Sequence, residues 1–138
     1  MTPACQERQP ALLRRGIEQF NRGEFFEQHE TLESLWLEES RPIRRLYQGI
    51  LQIGVAMFHI QRRYHHGAVH MLTRGRAYLQ PFAPACQNVD VANLRDQAAR
   101  ALDEVERLGP ERMDMFDWSL APRVHAVAPP GSQVVGAR

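Results

Sequence analysis

Apolar residues recur along most of the chain with the three-to-four-residue spacing of one face of an α-helix. The pattern predicts five helices, at about residues 10–21, 24–38, 42–64, 68–79 and 90–108. Asn21-Arg22-Gly23 ends the first helix, Pro42 opens the third, and Asp90 is an N-cap for the fifth. The third helix is apolar around nearly its whole circumference, which is typical of the central helix of a bundle. No segment alternates as a β-strand does.

These elements predict an all-α fold, a single-domain helical bundle of about five helices with an irregular C-terminal tail. Residues 1–9 are expected to form an N-terminal arm, residues 10–120 the bundle, and residues 121–138 an extended or disordered tail. Beyond the fifth helix, three apolar side chains are expected to pin the chain back onto the bundle: Met115, Phe116 and Trp118. From Ala128 onwards the chain reads Pro-Pro-Gly-Ser and then small residues, so we expect it to be loose.

The balance of charged residues disfavours some functional classes of protein and excludes others. The 138 residues include 17 basic and 16 acidic side chains, for a formal net charge of +1. This balance disfavours a dedicated binder of nucleic acid or of an anionic membrane. All the basic residues are arginine, which excludes a Schiff-base lysine, a Walker lysine and a lysine general base.

Cysteine usage and hydropathy predict the cellular compartment of the protein. Cys5 and Cys86 are far apart in the sequence and belong to no Cys-x-x-Cys pair. A domain of this length does not need a disulfide to be stable. We therefore expect free thiols in a reducing cytoplasm. The N-terminal residues are too polar for a signal peptide, and the longest apolar stretch, Ile50–Phe58, is too short to cross a membrane. The sequence predicts a cytoplasmic protein that does not contact a membrane.

One segment carries a recognisable motif. His29-Glu30-x-x-Glu33-x-x-Trp36 follows a Phe-x-x-Gly turn, and a second pattern with Gln48, Gln52 and His59 comes later in the chain. Together they resemble the signature of the family known as domain of unknown function 309, over about residues 17–79. The resemblance implies a compact, all-helical fold and a functional site at the motif. It implies no reaction, because no activity is established for the family.

The motif residues fall on two helical stripes. His29, Glu33 and Trp36 share one face of the second helix, and Gln48, Gln52 and His59 share one stripe of the third. Because apolar residues flank both stripes, we expect them to point into the bundle and to face each other. Each buried polar group would then need a partner, at a cost of about 1–3 kcal/mol if it had none.

Three interpretations of these stripes stay open. The first is a structural hydrogen-bond network that fixes the helix register, in a non-enzymatic interaction or homodimerisation module. The second is an internal pocket for a small molecule, with Trp36, Tyr47 and Phe58 as apolar walls. If this pocket catalyses a hydrolysis, Glu33 is the general base and His29 or His59 is its partner. Glu30 is then a flanking residue.

The third interpretation is a divalent metal held by His29, Glu33 and His59; no other cofactor is predicted. The zincin motif fails because position 33 is glutamate, not histidine. A small molecule and a second copy of the chain are the candidate partners. The arginine pairs, such as Arg44-Arg45, could cradle a phosphate or an RNA backbone, but the balanced net charge favours a solvated face.

Overall fold

The computed structural model describes residues 2–127, and they form an all-α bundle, as the apolar periodicity predicts. The α-helices are α1 (Ala11–Asn21), α2 (Phe25–Glu38), α3 (Arg44–Gln61), α4 (His65–Leu79) and α5 (Val91–Leu108). Short 3-10 turns occupy Pro3–Gln6, Gln80–Phe82, Met113–Met115 and Trp118–Leu120. The prediction for residues 128–138 lies outside the described residues.

The central position predicted for the third helix is confirmed. α3 packs against α2 on one side and α4 on the other, while α1 covers α2 and α5 covers α4. α3 and α4 approach closely where Gly49 faces Gly75, because a Cβ atom at either position would lie 3.1 Å from the carbonyl oxygen of the other. Consecutive helices are therefore neighbours in space, as short connections favour.

The helix ends follow the sequence signals, with one correction. Gly23 ends α1 with φ +78°, and the Asp90 carboxylate accepts a hydrogen bond from the Asn93 backbone N–H at 3.0 Å, which confirms its role as an N-cap. The prediction of a turn over residues 65–67 is wrong, because α4 already begins at His65. Gly67 is required for packing: a Cβ atom there would overlap the Tyr64 ring.

The connection between α4 and α5 contains a small antiparallel ribbon that the sequence analysis missed. β1 (Ala85–Cys86) pairs with β2 (Val89–Asp90) around a two-residue turn. Cys86 forms a disulfide with Cys5, so the expectation of free thiols is wrong. The prediction of a cytoplasmic location loses the support that free thiols would have given it.

Residues 2–9 pack onto this ribbon through a buried polar network. The Tyr47 hydroxyl donates to the Gln87 side-chain oxygen at 2.8 Å, and the Gln87 amide donates to the Ala4 carbonyl at 3.1 Å. Burial raises the pKa of Tyr47. At the surface, Arg41 bridges Glu7 and Glu39, and its hydrogen bonds hold the pKa of Glu39 at about 2.

The segment after α5 returns to the bundle, but not through all of the predicted side chains. Phe116 is buried, as is Met113, whereas Met115 and Trp118 are exposed. The Trp118 ring instead stacks edge-on against Phe116, with 5.1 Å between centroids. Of the helices in residues 2–127, none is both long and apolar enough to cross a membrane.

Candidate functional site

The motif residues lie along the seam between α2 and α3. The two helices are consecutive, so Trp36 near the end of α2 meets Arg44 at the start of α3. At the other end, Phe26 on α2 meets Phe58 on α3, with ring centroids 6.2 Å apart. His29, Glu33, Gln48 and Gln52 lie along the two helices between these contacts, and His59 lies just beyond the second.

His29 and Glu33 form a pair at the edge of the seam, and they are not inside the bundle. The His29 Nε2 and Glu33 Oε2 atoms are 3.5 Å apart, and the side chains are 38% and 45% exposed. The expectation that this face points inward is therefore wrong. The inward face of α2 belongs to Phe25, Gln28, Leu32 and Leu35, which fill the space that His29 and Glu33 would need.

The two stripes do not join into a network. The Gln48 side-chain oxygen accepts a hydrogen bond from Arg45 on its own helix. Gln52 is buried, and its side-chain oxygen has no hydrogen-bond partner. Within residues 2–127, no hydrogen bond links the α2 stripe to the α3 stripe, so the structural-network interpretation lacks its expected geometry. Glu30 is exposed on α2, as expected for a flanking position.

Two of the predicted residues meet in an apolar cleft between α2 and α3. His29 and His59 line this cleft, which has a volume of about 250 Å³. The other lining residues are all apolar: Phe25, Phe26, Val55 and Phe58. Of the predicted apolar walls only Phe58 lines the cleft, since Tyr47 is fully buried elsewhere in the core. Glu30, Glu33, Trp36, Gln48 and Gln52 lie outside it.

The surroundings of His59 in the cleft disfavour the protonated form of its imidazole. Its ring packs at right angles to Tyr64, with 5.1 Å between centroids. Burial lowers its pKa, and the nearby Arg62 guanidinium lowers it further. At neutral pH the ring therefore offers one hydrogen-bond donor and one acceptor.

The candidate metal ligands do not converge. Across residues 2–127, no three side chains from His, Cys, Asp or Glu are grouped so that they could hold a metal ion. His29 and His59 share the cleft, but Glu33 points along the α2 surface toward His29.

The family model described as Domain of unknown function (DUF309) matches residues 13–71. The match confirms the family resemblance. The matched region runs from α1 into α4, so every residue of the cleft lies within it. No curated protein matches the chain. The family description assigns no activity.

Gln28 lies in the matched region, and its burial was not predicted from the sequence. Gln28 is fully buried, and its amide donates to the Leu51 carbonyl on α3 at 3.2 Å. It lies against Gly54, where a Cβ atom would overlap the amide group. The available signal was its register, because Gln28 falls on the same face as Phe25 and Leu32 and so had to be buried.

Proposed function

We propose that the chain is a binding module whose α2–α3 cleft receives one aromatic side chain of a partner protein. The observation that carries this proposal is the composition of the cleft, in which four apolar side chains surround a space with two imidazoles. Phe26 strengthens it, because this ring is 53% exposed and extends the apolar wall into solvent. Because Phe26 is continuous with the apolar cleft, the two together form an exposed apolar patch, which is typical of an interaction site.

The size of the cleft favours a side chain over a whole small molecule. Pockets for drug-sized ligands measure about 300–1,000 Å³. The cleft is smaller, at about 250 Å³. Larger depressions exist, such as one of about 440 Å³ beside Gly23 and Trp118, but they are more open to solvent. A single buried anchor is how protein interfaces commonly use such a space.

The two imidazoles favour tyrosine or tryptophan as the anchor. Each of these side chains has an apolar body and a polar group that seeks a hydrogen bond when buried. Neutral His59 has an acceptor for a phenol O–H or an indole N–H. His29, paired with Glu33 at 3.5 Å, is oriented at the rim of the same cleft.

The same geometry favours binding over the hydrolytic alternative. No serine, threonine or cysteine lines the cleft, so a covalent intermediate has no nucleophile there. A His29–Glu33 pair could activate water, but the pair is well exposed, and water competes there with any bound substrate. Homo-oligomerisation and a cytoplasmic location stay predictions.

The test is an NMR titration of ¹⁵N-labelled protein with N-acetyl-tyrosinamide and N-acetyl-tryptophanamide, and with N-acetyl-glutaminamide as a polar control. We expect the aromatic amides to bind weakly, with Kd of the order of 10 mM, since one buried side chain contributes only about 1.5–3 kcal/mol. The perturbed amides should surround Phe26, Val55 and His59, and the polar control should perturb none of them.

Two variants on α2 give a matched comparison. Phe26→Ala removes a wall of the cleft and should weaken aromatic binding at least fivefold. Leu37→Ala removes an apolar side chain that is 65% exposed on the same helix but lies outside the cleft. It should leave binding unchanged. Equal binding by parent and Phe26→Ala, or perturbations spread over the whole surface, would contradict the proposal.

A further inference from the structure

Near the start of α3, three arginines pack against two aromatic rings, Arg44 against one ring and Arg45 and Arg74 against the other. Arg44 and Arg45 stand in the first turn of α3, and Arg74 stands in the second half of α4. We call these three residues the arginine patch. Trp36 and Tyr78 provide the rings.

Tyr78 holds two of the guanidinium groups in place. The Arg45 and Arg74 Cζ atoms lie 5.2 and 5.5 Å from the Tyr78 ring centroid. Arg74 also donates to the Tyr78 hydroxyl at 2.7 Å, and Arg45 donates to Gln48. Both arginines are exposed, so their remaining N–H groups face solvent. Two cations fixed beside one ring repel each other, and an anion between them would relieve that repulsion.

Arg44 is fixed separately against Trp36, with its Cζ atom 5.2 Å from the centroid of the indole ring. The Arg44 Nε and the Trp36 Nε1 atoms are both buried, and neither has a hydrogen-bond partner. Two unpaired N–H donors at one location are costly, at about 1–3 kcal/mol each. Because both atoms are covered by protein, a ligand would meet Arg44 at its terminal amino groups.

No carboxylate neutralises the arginine patch. Among residues 2–127, the arginine ion pairs involve Arg41 and Arg107, and none involves a residue of the patch. The chain's near-zero net charge thus includes three neighbouring arginines that no ion pair among these residues neutralises. Both arginines of the first turn of α3 also stand at the positive end of the helix dipole, where a cation is disfavoured.

We propose that the arginine patch binds the phosphate groups of a small molecule. A guanidinium presents parallel N–H donors that match two oxygens of one phosphate, and the aromatic rings keep these forks oriented. The two forks at Tyr78, with Arg44 one residue away on α3, suit a pyrophosphate or a nucleotide polyphosphate better than a single phosphate. The low net charge of the chain argues against a long polynucleotide, which draws on a more extended basic surface. This site is independent of the aromatic cleft.

The test measures binding of inorganic pyrophosphate and tripolyphosphate by calorimetry at low salt, using the full chain. In a Trp118→Phe background Trp36 is the only tryptophan, because the chain contains two. Its fluorescence then reports on the patch. We expect saturable binding, with a change in Trp36 emission that follows the calorimetric isotherm.

Paired arginine variants distinguish specific binding at the arginine patch from nonspecific attraction of the anion to positive charge. The Arg45→Gln/Arg74→Gln double variant should weaken binding at least tenfold. The Arg14→Gln/Arg15→Gln variant removes the same charge from exposed positions on α1 and should change affinity less than twofold. An Arg45→Lys/Arg74→Lys variant keeps the charge but loses the forks, and it should bind several-fold more weakly than the parent.

Three outcomes would overturn the proposal: no binding of either polyphosphate, equal weakening by both glutamine double variants, or parent-like affinity in the lysine variant. A labelled twelve-residue oligothymidine covers the polynucleotide alternative. Three phosphate contacts on a single strand give a salt-dependence slope of about 2. A distinctly steeper slope with tighter binding than pyrophosphate would reassign the patch to a nucleic-acid surface.

Discussion

The side-chain amide of Gln28 on α2 occupies the space that a Cβ atom at Gly54 on α3 would need. Gln28 is fully buried, and its single hydrogen bond runs to the backbone of α3, at Leu51. This contact sets the distance between the two helices that carry the motif. The aromatic cleft opens directly beside it, because Val55 follows Gly54 and His29 follows Gln28.

Gly54→Ala should therefore destabilise the fold by about 1–3 kcal/mol, the usual cost of overpacking a core. The measurement is urea unfolding followed by circular dichroism. In a Gln28→Ala background the overlap disappears, so the same Gly54→Ala change should cost much less. If the two substitutions prove additive, Gln28 and Gly54 do not constrain each other.

The Cys5–Cys86 disulfide should contribute a large share of the stability. It joins residues 81 positions apart. Cross-linking a loop of that length lowers the conformational entropy of the unfolded state and so stabilises the fold by roughly 4 kcal/mol. Dithiothreitol should lower the free energy of unfolding of the parent to that of Cys5→Ala/Cys86→Ala, and it should leave the variant unchanged. Thiol counting under denaturing conditions supplies the control. Two free thiols in the parent without reductant would show that the bridge does not form.

Stability should depend on pH through His59. Its folded-state pKa is lowered from 6.5 by burial and by Arg62. The unfolded state therefore binds a proton first as the pH falls through about 6.5, and stability declines from there until the folded-state pKa is reached. His59→Gln should flatten this part of the stability curve. Arg62→Gln should raise the pKa of His59 in an NMR titration, and an unchanged value would exclude the guanidinium as a cause.

The His29–Glu33 pair should matter little for stability. Exposed ion pairs contribute about 0–1 kcal/mol, and both side chains here are more than one-third exposed. Glu33→Gln and His29→Asn should each change the free energy of unfolding by less than about 1 kcal/mol in thermal or urea unfolding. A loss of several kcal/mol from either would restore the structural-network interpretation of the motif.

Much of the architecture could be predicted because it depends on local signals. The apolar spacing located all five helices, and Gly23 and Asp90 marked two of their ends correctly. Gly67 was misread as a turn residue, since sequence shows that a glycine is present but not whether its backbone or its lack of a side chain is needed. The ribbon at Ala85–Asp90 is too short for its alternation to be visible.

The candidate site was less predictable. Helical periodicity correctly places His29 and Glu33 on one side of α2. It does not show whether that side is the buried face or its edge, because this depends on how the neighbouring helices pack. Packing put Gln28 inside and the His29–Glu33 pair at the edge. The arginine patch shows the same limitation, because Arg74 reaches Tyr78 and Arg45 only once α4 lies against α3.

The sequence by itself therefore determined the helical class, the five α-helices of residues 2–127 and the resemblance to the family whose model matches residues 13–71. These depend on periodicities and caps, which act over a few residues. The tertiary structure alone decided that Cys5 meets Cys86, that His29 and His59 share an apolar cleft, and that Arg45 and Arg74 pack against the same Tyr78 ring. Those arrangements depend on contacts between residues far apart in the chain, and their distances are fixed only when the helices pack.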